Sequence, residues 1–255
     1  MDAQILKVDR EGPIATLTMN RPDKRNAMCE ELLVSLDKYF SDPPKDVRVV
    51  VLTGTAGHFC SGLDLSEHVD RSAEENLHHS RHWHSVMDKI QFGGLAVISA
   101  MFGAVIGGGL ELAAATHVRI AEPSTIFQLP EGRRGIFVGG GATARVGRLL
   151  GPDRMTEMML TGRKYGAEEG VSLGLAHYST AEGEAMALAQ KLAGKISRNA
   201  PLSNYLMIQA IPRINEMSHG DGLFTESLAA ALSQTTTDAQ EGLRAFLEKR
   251  APQFR

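Results

Sequence analysis

Cysteine is scarce in this sequence: of 255 residues only Cys29 and Cys60 carry thiols, and their spacing matches no metal-binding pattern. Two such thiols exclude a disulfide scaffold and favour a reducing compartment, with the cytoplasm as the expected location. Aromatic residues are also few, at 5% with a single tryptophan. No lysine- and arginine-rich run occurs and the formal net charge is -3, so no nucleic-acid partner is expected. The opening MDAQILKVDREG lacks a basic segment followed by an apolar one, and no secretory leader is expected. One uncharged stretch, Phe92 to Leu110, is long enough to test as a membrane span. Its glycines, including Gly107-Gly108-Gly109, its lack of flanking Trp or Tyr and its end at Glu111 favour a buried strand, a tight turn and a helix start.

What remains is an ordinary globular composition, 43% hydrophobic and 22% charged, in a chain long enough to bury a core without staples. Ile5 to Val8, the turn Glu11-Gly12 and the alternation Ala15, Leu17, Met19 read as a hairpin. The polar run from Asn20 to Asn26 is a loop, with Asn26 placed to cap a helix carrying Met28, Leu32, Leu36 and Phe40 at helical spacing. Val47 to Leu52, Val97 to Met101 and Val118 to Ala121 read as buried strands, a helix follows near Leu110–Ala115, and 66–91 is helical in part. Beyond Pro152 helices dominate. Ala185, Leu188, Ala189, Leu192 and Ile196 form one stripe. A last helix shows capping-box spacing at Thr237 and Gln240, with Ala239, Leu243, Phe246 and Leu247 on one face. The β-rich part ends near residue 195. The expected organisation is a core over 1–195 and a helical region over 196–255.

The strongest local signal for chemistry is Gly107-Gly108-Gly109-Leu110-Glu111. A strand that ends in glycines and opens a helix leaves backbone N–H groups free at a positive helix end. Such donors serve an oxyanion hole, a phosphate cradle or a mere tight turn, and the glycines alone do not choose. Glu111, on the first turn, reads by itself as a surface residue complementing the helix dipole. Glu131, after Leu129-Pro130, adds a second carboxylate. Were both to converge on the glycine donors, they would supply a general acid and a general base for one electrophile. Gly139-Gly140-Gly141-Ala142-Thr143-Ala144 imitates a dinucleotide fingerprint but lacks the acidic residue about 20 positions on. His78, His79, His82 and His84 lack the carboxylate or thiol that would complete a tetrahedral metal set, and read as a solvated helix face. Neither Cys60 nor Ser61 has an adjacent base or a nucleophile elbow, which argues against covalent catalysis.

In this order the pieces resemble the crotonase superfamily, the enoyl-CoA hydratase/isomerase family. Met19-Asn20-Arg21-Pro22 through Asn26-Ala27-Met28 is similar to its NRP…NA loop, and His58 to Leu65 to its FCAGxDL segment. Gly103 to Ala113 is similar to GxxxGGGxELA, Leu129-Pro130-Glu131 to its PE pair, and Glu241 to Arg250 to EGxxAFxEKR. Together they span essentially the whole chain. Val138 stands where many relatives have proline, Arg133-Arg134 where they have a Lys-Leu-like pair, and 66–91, which shapes the acyl pocket in this family, aligns with nothing firmly.

The resemblance implies an α/β fold, a spiral of ββα units with a C-terminal α-helical trimerisation region, and trimers or dimers of trimers. It implies an acyl-CoA thioester as substrate and partner. Coenzyme A is then part of the substrate, with no separate cofactor, no metal and no membrane partner. It places Glu111 and Glu131 as catalytic groups and the backbone N–H groups of Leu63 and Gly108 as an oxyanion hole. Coenzyme A would lie along Ser61, Gly62, Asp64 and Leu65, with Arg25 and Ala27 nearby, and Phe246 and Lys249 would reach it from the C-terminal end. Hydration of an α,β-unsaturated thioester is the leading expectation. Another chemistry of the family (isomerase, dehydratase or hydratase-lyase) and a non-catalytic acyl-CoA-binding protein are the alternatives.

Overall fold

The computed structural model describes residues 4–67 and 71–254, so residues 68–70 of the 66–91 segment lie outside the described residues. Strands β1 (Leu6–Glu11) and β2 (Ile14–Met19) form the expected antiparallel hairpin, in the register Leu6↔Met19 to Glu11↔Ile14. Gly12 makes the turn at a φ of 54°, a left-handed conformation that costs glycine little. Strands β3 (Val49–Gly54), β4 (Ala96–Met101), β6 (Val118–Ala121) and the two-residue β8 (Tyr178–Ser179) continue the sheet in parallel, in the order β1-β2-β3-β4-β6-β8. Every residue of β3 and β4 is buried, the pattern of parallel strands covered on both faces.

Each central strand is followed by a short second one. After β3 comes a single bridge at Cys60. After β4 comes β5 (Ala104–Ile106), and after β6 comes β7 (Ile126–Gln128). β5 pairs with β7 in a separate two-stranded sheet, extended by the bridges Cys60↔Val105 and Phe127↔Tyr165. A helix then leads back: α1 (Glu30–Ser41) after β2, α2 (Ala73–Phe92) after Cys60, α3 (Gly108–Ala114) after β5, and α4 (Ala142–Leu150), α5 (Pro152–Thr161) and α6 (Ala167–Ser172) after β7. This is the expected spiral of ββα units. The uncharged segment 92–110 resolves into the end of α2, β4, β5 and the start of α3, and no helix among the described residues is long and apolar enough to cross a membrane.

One core lies between the sheet and α1 to α6, with Leu17, Leu32, Leu36, Leu52, Met87 and Phe127 fully buried. The other is built on the stripe predicted at 185–196. Helix α7 (Ala185–Ile196) sets Ala185, Ala189 and Ala193 against Val49, Val51, Ile98 and Ile120. Alanines there let the helix sit close on β-branched strand residues. Ile208 of α8 (Pro201–Ile214) joins the same cluster, so packing against the sheet continues past residue 195.

Two local expectations are corrected. Asn26 caps no helix: it is fully buried, and its side chain donates to the carbonyls of Thr55 and His58 while accepting from the Arg21 amide. Its cross-loop bonds outcompete a local cap, and the α1 terminus is served instead by Glu67, whose carboxylate accepts from the Glu30 amide at 2.9 Å. The cap of α10 (Thr237–Leu247) is Thr236, one residue earlier than its spacing suggested, accepting from the Ala239 amide at 3.1 Å. The apolar face of α10 is not covered within the chain, since Leu243, Phe246 and Leu247 are all exposed.

Candidate active site

Three adjacent glycines open α3, and each is required by a different neighbour. Gly107 has a φ of 53°, and a Cβ on it would lie 2.8 Å from a carboxylate oxygen of Glu131. A Cβ on Gly108 would lie 2.8 Å from the Trp83 indole and 3.4 Å from the Leu63 amide nitrogen. A Cβ on Gly109 would strike the Cys60 carbonyl at 2.3 Å. The run lets a helix start press against a strand, an indole and a carboxylate at once.

The segment around Leu63 is fixed by a bridge to Met28. The Met28 amide donates to Gly62 O at 2.7 Å and the Asp64 amide to Met28 O at 2.9 Å, which turns the Leu63 N–H to the other side. Among the described residues neither the Leu63 nor the Gly108 amide has an acceptor. Two N–H groups side by side without partners are a receptor for one oxygen atom.

Glu111 lies one turn into α3 and is 4% exposed, so the surface reading of this carboxylate is wrong. One of its oxygens accepts from the Gly140 amide at 2.8 Å and the Ala142 amide at 3.0 Å. The second glycine run, which imitates a nucleotide motif, thus serves as a carboxylate clamp. Arg145 holds that clamp from behind. Its guanidinium donates to Gly140 O at 3.3 Å, to Gln91 at 2.6 Å and to Asp88 at 2.5 Å. Burial raises the Glu111 pKa, while the two amides and the Arg145 charge oppose the rise.

Glu131 follows β7 at the start of a short 3-10 turn. Its second oxygen is buried with no hydrogen-bond partner among the described residues. Burial, reinforced by the charge of Glu111 and opposed in part by its own backbone amide and Arg134, pushes its pKa up to about 7. The two carboxylates therefore differ: Glu111 is held by amides and faces a cation, whereas Glu131 has an unserved oxygen and favours its protonated form.

Leu63, Gly108, Glu111 and Glu131 all line one small cavity of about 100 Å³. It shares Leu63, Leu65, Glu111, Ile136 and Phe137 with a larger cavity of about 370 Å³ whose other wall is α2. Beside them runs a ridge that straps the loop 21–27 to 61–65. The Ser61 amide donates to Arg25 O and the Ser61 hydroxyl to Lys24 O, both at 3.0 Å. Arg25 is exposed at a φ of 50°, Ala27 is buried, and Gly62 fits where a Cβ would meet Ile106 O at 2.8 Å. The carboxylate of Asp64 is taken up by Arg21 at 2.8 Å and by Ser66, which hold its pKa down at about 2. Its side chain fixes the ridge, and Leu65 stands exposed at its end. Phe246 and Lys249 line neither cavity of this chain.

The histidine segment is not uniformly a solvated face. His78 is exposed, but His79 turns into the larger cavity and accepts from the Trp83 indole N–H at 3.1 Å. Trp83 itself was missed from sequence, although its spacing to Val86, Met87 and Ile90 is that of a buried helix face. Arg145 carried no signal, because its role depends on the fold bringing α2 behind the glycine loop. Cys60 is buried, which pushes its thiol up to about 12, in keeping with no covalent role.

The family model for enoyl-CoA hydratase/isomerase matches residues 9–255. The short-chain-enoyl-CoA hydratase of Clostridium acetobutylicum is 31% identical over 253 residues, 98% of this chain and 97% of that protein. The crystal structure of an enoyl-CoA hydratase from Bacillus anthracis is 32% identical with a TM-score of 0.93, covering 98% of this chain and 99% of that one. A Rhodopseudomonas palustris structure of the same fold is 48% identical with a TM-score of 0.94, covering 96% and 95% of the two chains. By its whole length, its ββα spiral and these relatives, the chain belongs to the enoyl-CoA hydratase/isomerase family.

Proposed function

We propose that this protein adds water across the double bond of an α,β-unsaturated acyl-CoA thioester. The observation that carries the reading is the small cavity in which two unlike buried carboxylates, Glu111 and Glu131, face two backbone amides without acceptors. The thioester oxygen accepts from the Leu63 and Gly108 N–H groups, which stabilise the negative charge it gains as the enolate forms; losing one such donor typically costs about 3–4 kcal/mol. Glu111 as carboxylate takes a proton from water as the new C–O bond forms at the β-carbon. Glu131 as carboxylic acid gives its proton to the α-carbon. The π bond is replaced by one C–O and one C–H bond, and exchange with solvent returns the proton from Glu111 to Glu131. Coenzyme A enters only as part of the substrate, and the steps call on no metal.

The nucleotide end is assigned to Arg25, Ala27, Ser61, Gly62, Asp64 and Leu65. The exposed apolar surface of the C-terminal helices supports assembly into three or six copies, in which Phe246 and Lys249 of one chain would reach the coenzyme A of another. Relatives named as hydratases support the same reaction. Single-turnover assays with a short 2-enoyl-CoA and its 3-enoyl isomer test the reading. Hydration of the 2-enoyl ester is expected; conversion of the 3-enoyl ester without any hydration would replace it with a double-bond isomerase.

A further inference from the structure

The wall that α2 presents to the larger cavity is of the wrong chemistry for a plain alkyl chain. Asn76, His79, Ser80 and Trp83 recur at i, i+3, i+4 and i+7 and line it as one helix face. Further along the helix the same spacing carries Val86, Met87 and Ile90, all buried in the core. The helix therefore changes character at Trp83. Toward the core it is apolar; toward the cavity it places the amide of Asn76, whose NH2 donates to Arg71 O at 3.3 Å and whose oxygen remains to accept, the hydroxyl of Ser80, and the His79 imidazole, which already accepts from the Trp83 indole. Ser80 gives its proton to Gly139 O at 2.6 Å, so its oxygen faces the cavity as an acceptor. The opposite wall, Leu65, Ile136 and Phe137, is apolar and partly exposed.

An acyl chain in this slot has one greasy side and one wet side. A plain alkyl group would strip water from the polar wall and return no hydrogen bond. A carboxylate fares no better. No lysine or arginine lines this cavity among the described residues, Glu111 closes its inner end, and Glu30 lies 3.4 Å from the His79 ring. We infer that the preferred acyl group carries a neutral hydrogen-bonding substituent, a hydroxyl or carbonyl, beyond its β-carbon. This rests on the hydratase reading above and adds the substrate class to it.

The test compares kcat/KM for three trans-2-enoyl-CoA esters of six carbons, ending in a methyl, a hydroxyl or a carboxylate. The hydroxyl ester is expected to exceed the methyl ester by about tenfold, the worth of one well-made hydrogen bond, with the carboxylate ester slowest. Asn76→Leu should lower the hydroxyl-to-methyl ratio without touching the bond between the Trp83 indole and His79. A methyl ester hydrated as well as or better than the hydroxyl ester overturns this inference and leaves the hydratase standing. Hydration of none of the three, nor of the four-carbon ester, removes the hydratase reading. Calorimetric binding of the saturated six-carbon esters then decides the substrate class alone: tighter binding of the hydroxyl ester upholds it, and equal or weaker binding overturns it.

Discussion

The spiral core and the last three helices use similar sequence patterns to opposite ends. In the core, apolar residues at strand or helix spacing are buried almost without exception, as in β3, β4 and the α1 face of Leu32, Leu36 and Phe40. In α9 (His219–Gln234), Leu223, Phe224, Leu228 and Leu232 stand exposed, as do Leu243, Phe246 and Leu247 of α10. Periodicity announces a face that needs covering, and says nothing about which chain covers it. An apolar surface of this extent on a single chain marks an interaction site. The core should thus answer to substitution in its chemistry, and the tail in its assembly.

The largest effect should come from the core carboxylates. Glu111→Gln and Glu131→Gln keep shape but cannot exchange a proton, and each should slow hydration by at least about 100-fold while light scattering shows an unchanged assembly. An isomerase would instead need Glu131 and tolerate Glu111→Gln.

Next, at about tenfold, comes the clamp. Arg145→Gln removes a cation that lowers the Glu111 pKa, so the acid limb of the kcat/KM profile should move to higher pH. Asp88→Asn leaves Arg145 charged without its partner and should move that limb to lower pH. The groups facing this pair are Glu131 and Arg134 across the cavity, His79 and His84 on α2, and Arg148 on α4. None of them is altered by either change. Limbs that move together would reduce Arg145 to a purely structural tie.

In the tail, Phe224→Glu with Leu228→Glu should drop the assembly to monomers in size-exclusion light scattering. These side chains are exposed in the single chain, so circular dichroism should stay native. Loss of a neighbour's Phe246 and Lys249 should raise KM for acyl-CoA more than it lowers kcat. An unchanged assembly would place the contact surface elsewhere.

The smallest effect is on stability. Because the fold raises Glu131 from 4.5 to about 7, the folded chain keeps a proton that the unfolded chain has released across that window. Stability is full below the lower value and falls as pH rises toward 7. Glu131→Gln should therefore raise Tm by about 5 °C at pH 8 and hardly at all at pH 4, measured by calorimetry. The same titration bears on the reaction. Hydration starts with the pair's one proton on Glu131 and dehydration with it on Glu111, so both directions use the singly protonated pair and should weaken together above pH 7.

What the sequence disclosed follows the range of the interactions. Hairpin, buried strands and the α7 stripe rest on local periodicity, and they stand where that periodicity places them. The family motifs named Leu63, Gly108, Glu111 and Glu131, but not their unequal environments, which depend on burial and on contacts between separate segments, such as Gly140, 29 positions on, at Glu111. Strands β5 and β7, three residues each, are too short to show alternation. Asn26 has the residue type of a cap yet spends it on Thr55 and His58, a choice made only once the loops meet.

Trp83 is the only tryptophan in the chain. Its indole rests against Gly108, whose amide has no acceptor among the described residues, and against Gly140, which holds Glu111. A fluorophore already stands between these two glycines, with its N–H on His79 in the larger cavity. Ligand entry should therefore be visible in the protein's own emission, unlabelled and uncontaminated by any other indole.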